Sequence, residues 1–348
     1  MPNSSDRLRV GVVGCGAFGR NHARVYRDLA GEPSQSVEVV GVADRDFARA
    51  QAVAKEFGTR AFHSAEELIA AGAQAVSVAV PTVFHLEVAR QLMQSGVDVL
   101  IEKPLATTVA EADELIEIAR KNARVAQAGH LERFNPAVRA TVPLLTQPMF
   151  FEVHRLSVFT PRSLDVDVIL DLMIHDLDVV LSFVKSPVKE IRAVGLPILS
   201  SKVDIANVRM EFESGCVANF TASRVSTERI RKLRFFQPRQ YVSVDYARQD
   251  VLLITVDEMQ PDAADLDPFN PASVAASAFP GITPFKPEVE QQEPLRAELS
   301  SFLRAARERS TPEVTLEDGR RALAAAMQIV DAISEHSRRA HLMELTRG

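Results

Sequence analysis

The sequence predicts an α/β protein: a doubly wound parallel sheet at the N-terminus, then a C-terminal α+β domain with a mainly antiparallel open sheet. Three observations carry that reading. Over the first 128 residues, short apolar runs alternate with segments of helical spacing, the rhythm of repeated β–α units. The first run leads directly into a glycine-spaced loop, Gly14-Cys15-Gly16-Ala17-Phe18-Gly19. Beyond about residue 130, strand-like runs follow one another without helices between them, which favours antiparallel pairing. At 348 residues the chain is long for a single core. Two domains are expected, 1–128 and 129–348, with the C-terminal helices able to pack back on the first.

The elements follow in order. "LRVGVVG" (8–14), "VEVVGVAD" (37–44), "AVSVAV" (75–80), "DVLIE" (98–102) and "ARVAQAG" (123–129) are near-continuous apolar runs, as strands covered on both faces require. Between them lie "FGRNHARVYRDL", "FARAQAVAKEF", "SAEELIAAG", "FHLEVARQLMQSG" and "TVAEADELIEIARKN". Ser64 with Glu67, and Thr108 with Glu111, are spaced as capping boxes, fixing two helix starts. A helical segment "ERFNPAVRATVPLL" and a strand "MFFEVHRLSV" precede the helix "VILDLMIHDLDVVLSFV". Strands are then expected at 188–195, 204–213, 216–223, 230–236, 240–246 and 250–256. Residues 260–288 hold six prolines without clear periodicity and read as a long irregular loop. Amphipathic helices near 293–309 and 316–338 close the chain.

The glycine loop has a context that gives it meaning: it leaves a strand and opens a helix. Gly14 permits the tight turn, Gly16 lets a pyrophosphate approach the backbone, and Gly19 lets helix and strand pack closely. The helix start, with Ala17 and Phe18, offers unpaired N–H groups to phosphates. The second strand ends in Asp44, 25 residues after Gly19, near the spacing of an acid that binds the adenosine ribose. This is the Rossmann fingerprint, and the carboxylate favours NAD over NADP. Arg45 follows and could stack on adenine or accept an extra phosphate. Pro81, Thr82 and His85 leave the fourth strand toward the same crevice, where His85 serves equally well as a packing or capping residue. Glu102-Lys103-Pro104 ends the fifth strand, at the carboxyl edge where ligands of open α/β sheets bind.

A net charge of −6 argues against general nucleic-acid binding, which needs clustered cations. No window holds 18 apolar residues in a row, so no membrane span is expected. The two cysteines, Cys15 and Cys216, lie in unrelated segments and suggest no disulfide framework. The beginning of the chain lacks the apolar region of a signal peptide, and a cytoplasmic location is expected.

Taken together, "GVVGCGAFGRNHA", "VPTVFHLEVA", "EKPLA", the D-x-x-x-H helix and "PLRAELSSFLRAARE" resemble the glucose–fructose oxidoreductase/inositol dehydrogenase/rhizopine-catabolism (Gfo/Idh/MocA) family over essentially the whole chain. The resemblance implies hydride exchange between a nicotinamide and a secondary alcohol of a sugar, inositol or related ring, with Lys103, Asp171 and His175 at the substrate. It also implies dimers or tetramers. Many members carry a glycine cluster before the D-x-x-x-H helix, whereas this chain has Asp167-Val168-Ile169-Leu170. "AGHLERFNPAV" and "HRLSVFTPRSLDVDVILDLMIHDLD" instead resemble the nucleotide-sugar branch. That branch implies oxidation at C3 of UDP-N-acetylglucosamine, giving a keto sugar that a partner aminotransferase converts for lipid A or surface polysaccharide.

The chemistry can also be read from the residues. Asp171 and His175 are i and i+4 and share a helix face, and Asp178 lies i+3 from His175. Asp176 points away, to solvent or to a partner elsewhere. The acids do not converge, and no second His or Cys cluster exists, so no metal is expected. A core histidine is the plain alternative for His175. Alcohol oxidation needs a proton acceptor, which imidazole supplies near neutral pH. In this reading His175 is the base, Asp171 orients the site, and Lys103 stabilises charge on the reacting oxygen. Lys103 could instead be the base. Arg133, Asn135, Arg155 and Arg162 are candidate substrate residues, arginine suiting a diphosphate by its fork geometry. Arg224, Arg229, Arg231, Lys232 and Arg234 could also meet a diphosphate, but the alternating charges of 229–234 read more simply as the wet face of an antiparallel strand. Competing readings are an inositol or free-sugar dehydrogenase and a non-catalytic NAD-binding regulator.

Overall fold

The computed structural model describes residues 7–160, 166–256 and 282–340, which fall into two compact units. The first takes the chain through Asn135, Leu177–Val179 and Gln292–Gln328; the second takes Pro136–Asp176, Val180–Gln291 and the chain from Ile329. The boundary thus falls beyond residue 128, and the helix after residue 293 belongs with the first unit.

The first unit is a parallel six-stranded sheet. Its strands are β1 (Leu8–Val13), β2 (Val37–Ala43), β3 (Ala61–Phe62), β4 (Ala75–Val78), β5 (Asp98–Glu102) and β6 (Ala126–Gly129), in spatial order β3-β2-β1-β4-β5-β6. The order reverses between β1 and β4, which creates a crevice at their carboxyl ends. β3 was not expected, because two residues cannot display a period. The helices are α1 (Ala17–Ala30), α2 (Phe47–Phe57), α3 (Ala65–Ala70), α4 (His85–Gln94) and α5 (Val109–Lys121), joined by α8 (Pro294–Glu308). The anticipated caps are present: Ser64 Oγ accepts from Glu67 N, and Thr108 Oγ1 from Glu111 N. In each, the glutamate reaches back one residue further than a strict box, to His63 N and Thr107 N. One core cluster joins Val10 and Val12 of β1, Tyr26 and Leu29 of α1, and Leu299, Phe302 and Leu303 of α8. Each large apolar side chain so buried contributes about 1.5–3 kcal/mol.

The second unit is an eight-stranded sheet of β7 (Phe150–Val158), β8 (Val188–Leu196), β9 (Ile205–Phe212), β10 (Val217–Ser226), β11 (Ile230–Gln237), β12 (Gln240–Asp245), β13 (Asp250–Val256) and β14 (Ile282–Phe285). The spatial order is β14-β13-β12-β11-β7-β10-β9-β8. Every pairing is antiparallel except β7 with β10. The expected loop at 260–288 therefore ends in a strand at its C-terminal side, while residues 257–281 lie outside the described residues. Strand residues alternate: Phe151, Val153, Val208, Met210, Phe220, Leu233 and Phe235 are buried, and Lys232 and Arg234 lie opposite Asp245 and Glu152 at 3.7 Å. The segment expected as one helix at 132–145 is interrupted. Pro136 opens α6 (Pro136–Thr141), and Pro143 follows its end, as proline's missing N–H dictates. Helix α7 (Ile174–Phe183) lies on the sheet through Phe183, whose ring meets Phe151 and Phe235. Helix α9 (Leu316–Arg339) ends the described chain. No helix among the described residues is long and apolar enough to cross a membrane.

Candidate active site

The first unit carries a dinucleotide cradle. Gly14 has φ +97°, and a Cβ there would lie 2.5 Å from the Ala79 backbone, so only glycine is tolerated. A Cβ on Gly19 would stand 1.7 Å from Gly14 O, which explains the close strand–helix contact. A Cβ on Gly16 would meet nothing within 4 Å, leaving open backbone where a pyrophosphate can approach, at the start of α1. Asp44 braces the loop: one carboxylate oxygen accepts from Cys15 N at 2.7 Å, the other from Asp46 N at 2.8 Å. Each oxygen keeps a lone pair for a ribose hydroxyl. The Arg45 guanidinium lies 4.2 Å from the Phe84 ring centroid, presenting a flat cation beside that acid. These residues fit a nicotinamide dinucleotide. Burial, reinforced by the Asp44 charge, pushes the Cys15 thiol up to about 12, so it stays an unreactive thiol.

Other expected cofactor residues separate into two groups. Pro81 and Thr82 leave β4 at the crevice. His85 is 1% exposed, with its ring nitrogens 3.0 and 3.3 Å from the carbonyls of Val80 and Leu105. Burial lowers its pKa, so the neutral ring donates to one of the two carbonyls and only packs against the other. Glu102 ends β5 with its carboxylate turned inward, and the Lys103-Pro104 peptide that follows is cis. Its Oε1 lies 2.8 Å from His22 Nε2, and its Oε2 accepts from the Lys103 amide at 3.3 Å. Burial would raise the Glu102 carboxyl, but the His22 bond and the charges of His22 and Lys103 outweigh it and the net shift is downward. Glu102 thus holds the backbone that carries Lys103.

The second unit carries the D-x-x-x-H segment. Ile169–Met173 form one π-helical turn that runs into α7; such turns are frequent at functional sites. Two bonds anchor the turn: Val168 N donates to Val203 O, and Asp167 Oδ1 accepts from Val203 N. Asp171 N donates to Asp167 O. Asp171 sits inside the wide turn and His175 in the first turn of α7, so the two remain about one turn apart.

Several expected roles change. Asp176, expected at solvent or with a partner elsewhere, has the partner. Its two oxygens meet Arg155 Nε and a terminal nitrogen at 2.7 and 2.9 Å, with the side chains 2% and 3% exposed. That buried fork gives Arg155 the task of holding α7 to β7. Asp178, a turn on from His175, pairs with Arg133 at 3.5 Å. Arg133 keeps a fifth of its side chain exposed, whereas Asn135 is buried and donates to Glu132. Arg224 is likewise internal, bonded to Val166 O and paired with Asp204. Arg162 lies outside the described residues. No group of three or more His, Cys, Asp or Glu among the described residues could hold a metal ion.

Two buried residues carried a signal that the sequence reading passed over. His22 falls four residues before Tyr26 on the apolar face of α1, and Glu298 sits among Leu295, Leu299 and Phe302 on that of α8. A titratable group on a buried stripe marks each.

Comparison with known proteins agrees with this anatomy. Residues 8–130 match the model of the oxidoreductase family, NAD-binding Rossmann fold, and residues 147–239 match the GFO/IDH/MocA C-terminal domain. The chain is 36% identical over 327 residues to UDP-N-acetylglucosamine 3-dehydrogenase of Acidithiobacillus ferrooxidans, covering 94% of this chain and 97% of that one. The solved structure of that enzyme superposes with a TM-score of 0.83 over the same shares. Inositol 2-dehydrogenase 1 of Saccharopolyspora erythraea is 35% identical, over 50% of this chain and 53% of its own. An oxidoreductase from Agrobacterium radiobacter, solved with NAD+, shares the fold at TM-score 0.77 and 15% identity, over 94% of this chain and 96% of its own. The chain belongs to the Gfo/Idh/MocA family of oxidoreductases.

Proposed function

We propose that this oxidoreductase uses NAD to oxidise C3 of a UDP-N-acetylglucosamine-type nucleotide sugar to the ketone, releasing NADH and a proton. The observation that carries the substrate is the similarity to UDP-N-acetylglucosamine 3-dehydrogenase across nearly the whole length of both chains. NAD over NADP rests on Asp44, a carboxylate that would repel a 2′-phosphate at the end of β2.

Gly14, Gly16 and Gly19 would hold the pyrophosphate, with Asp44 on the ribose and Arg45 at the adenine. When bound, the nicotinamide supplies the hydride acceptor. The Lys103 ammonium donates to the reacting oxygen and stabilises charge as it develops. The His175 imidazole takes the hydroxyl proton, and Asp171 fixes its orientation. Arg133 is the cation we assign to the substrate side. The product suits a following transamination, which would convert the ketone to an amine, and a homo-oligomer in the cytoplasm is the expected working form.

Absorbance of NADH tests the reading, with NAD or NADP offered alongside UDP-N-acetylglucosamine, myo-inositol or free N-acetylglucosamine. Signal is expected with the first sugar and NAD; none with that pair refutes the substrate. His175→Ala and Lys103→Met should each lower kcat about 10²–10⁴-fold, with altered pH profiles. Wild-type hydride transfer in both would show the roles to be misassigned.

A further inference from the structure

Beneath the carboxyl ends of β4, β5 and β6 lies a polar layer sealed inside the first unit. Tyr26 Oη and Ser77 Oγ bond at 2.8 Å, and His22 bonds Glu102. Gln127 Nε2 reaches the Glu298 carbonyl at 3.5 Å. The Glu298 side chain is 0% exposed, and neither of its carboxyl oxygens finds a hydrogen-bond partner among the described residues. Gln127 Oε1 likewise lacks a partner among them.

The groups around Glu298 are mostly acids or neutral. Tyr26 faces it from α1, Gln127 from β6, and the charges of Glu102 and Asp178 both reach it. The turn at Leu131–Phe134, with Glu132 and Arg133, packs against α8, but Glu132 accepts from Asn135 and Arg133 pairs with Asp178. His130 lies beside Asp178. With the Glu102 charge reaching the buried, unpartnered Glu298 carboxyl, ionising both is costly, which favours one retaining a proton. The surroundings decide which. Glu102 has two donors, His22 and the Lys103 amide, whereas Glu298 has none. Gly129, the register partner of Glu102, makes room for the inward carboxyl; a Cβ there would lie 3.2 Å from Glu102 Cδ.

We propose that Glu102 and Glu298 form a buried carboxyl pair holding one proton, seated on Glu298, which keeps Glu102 ionised and so positions the Lys103 backbone. A neutral Glu298 is also a donor, and Gln127 Oε1 is an acceptor in need of one, directly or through a buried water. Burial, then the Glu102 charge, then that of Asp178, raise the Glu298 carboxyl well above its ordinary range. Glu298 is a positioning residue for the reaction proposed above, and its link to catalysis rests on that reading.

Infrared spectra of the full chain in H2O and D2O test the pair without turnover. A protonated-carboxyl carbonyl band is expected at neutral pH, lost in Glu298→Gln and kept in Glu102→Gln. Removing the Glu102 charge should also lower the midpoint at which the band disappears by one pH unit or more. A flat wild-type minus Glu298→Gln difference, or a midpoint indifferent to Glu102→Gln, overturns the proposal. Positioning is read from the alkaline limb of kcat, which should move upward by at least half a unit in Glu298→Gln; an unmoved limb refutes that role. A chain with the band but no dehydrogenase activity refutes the functional reading and leaves the proton pair standing.

Discussion

Replacing Arg155 by methionine separates a structural cation from a substrate-binding one. The guanidinium and Asp176 meet through two bonds of 2.7 and 2.9 Å with almost no solvent contact, and the Tyr246 ring lies 5.2 Å beneath the cation. Removing one partner leaves a buried uncompensated charge, a loss of about 3–5 kcal/mol. For a domain of about 150–250 residues, 1 kcal/mol moves Tm by about 2–4 °C, so Arg155→Met should lower it by about 6–20 °C. Replacing both members, Arg155→Met with Asp176→Leu, removes the orphaned charge and should recover most of the loss. Calorimetry of both variants is the assay, joined by KM for the nucleotide sugar measured well below the lowered transition. KM should stay within about twofold if the pair only fastens α7, since a group that does not touch ligand leaves uniform binding unchanged. An unshifted Tm together with a tenfold rise in KM would refute the assignment and return Arg155 to the substrate.

Two further outcomes follow from the backbone. Gly19→Ala forces a methyl against Gly14 O, so NAD affinity should fall at least tenfold by fluorescence titration while the second unit's transition is retained. Asp204 accepts from the amides of Ile198, Leu199 and Ser200 at 2.6–2.9 Å. Burial alone would raise its carboxyl, but those donors hold it below the usual value. Its stabilisation is therefore present above about pH 4, the unfolded value, and lost as pH falls through the lower folded value. Asp204→Ala also removes the carboxylate paired with the buried Arg224, so it should cost about 3–5 kcal/mol at pH 7 and show a shallower acid decline in urea melts.

Much of the fold was legible because its periods are local. The strands of the first unit announced themselves as unbroken apolar runs, and those of the second by alternation such as "VRMEF" against "VANFTAS". Ala61–Phe62 was too short to read, and Ile282–Phe285 lies after a proline-rich stretch. The cofactor loop was legible because its chemistry is backbone chemistry, and backbone demands choose glycine at fixed spacing. Side-chain partners were less so. Helical spacing placed Asp171 and His175 on one face, yet could not tell that Asp176 would meet Arg155 21 residues away, or that Asp178 would meet Arg133. For His85 the sequence left packing and ligand roles open, and only the fold brings two carbonyls from separate loops against its ring.

The one parallel pairing in the second sheet has a consequence for synthesis. β7 sits at the centre, yet its partners come much later: Phe150 pairs with Val217 and with Phe236. On either side, β8 to β10 and β11 to β13 can zip as local hairpins, while β7 must wait for both. At about 5–20 residues per second, the 67 residues to Val217 take about 3–13 seconds and the 86 to Phe236 about 4–17 seconds. An alternating strand so exposed is a template for wrong pairing. Glu152, His154 and Arg155, interleaved in "FFEVHRLSV", break up its apolar run as gatekeepers do. Arg155 can meet Asp176 only 21 residues later, which leaves Glu152 and His154 to interrupt the strand until its neighbours arrive.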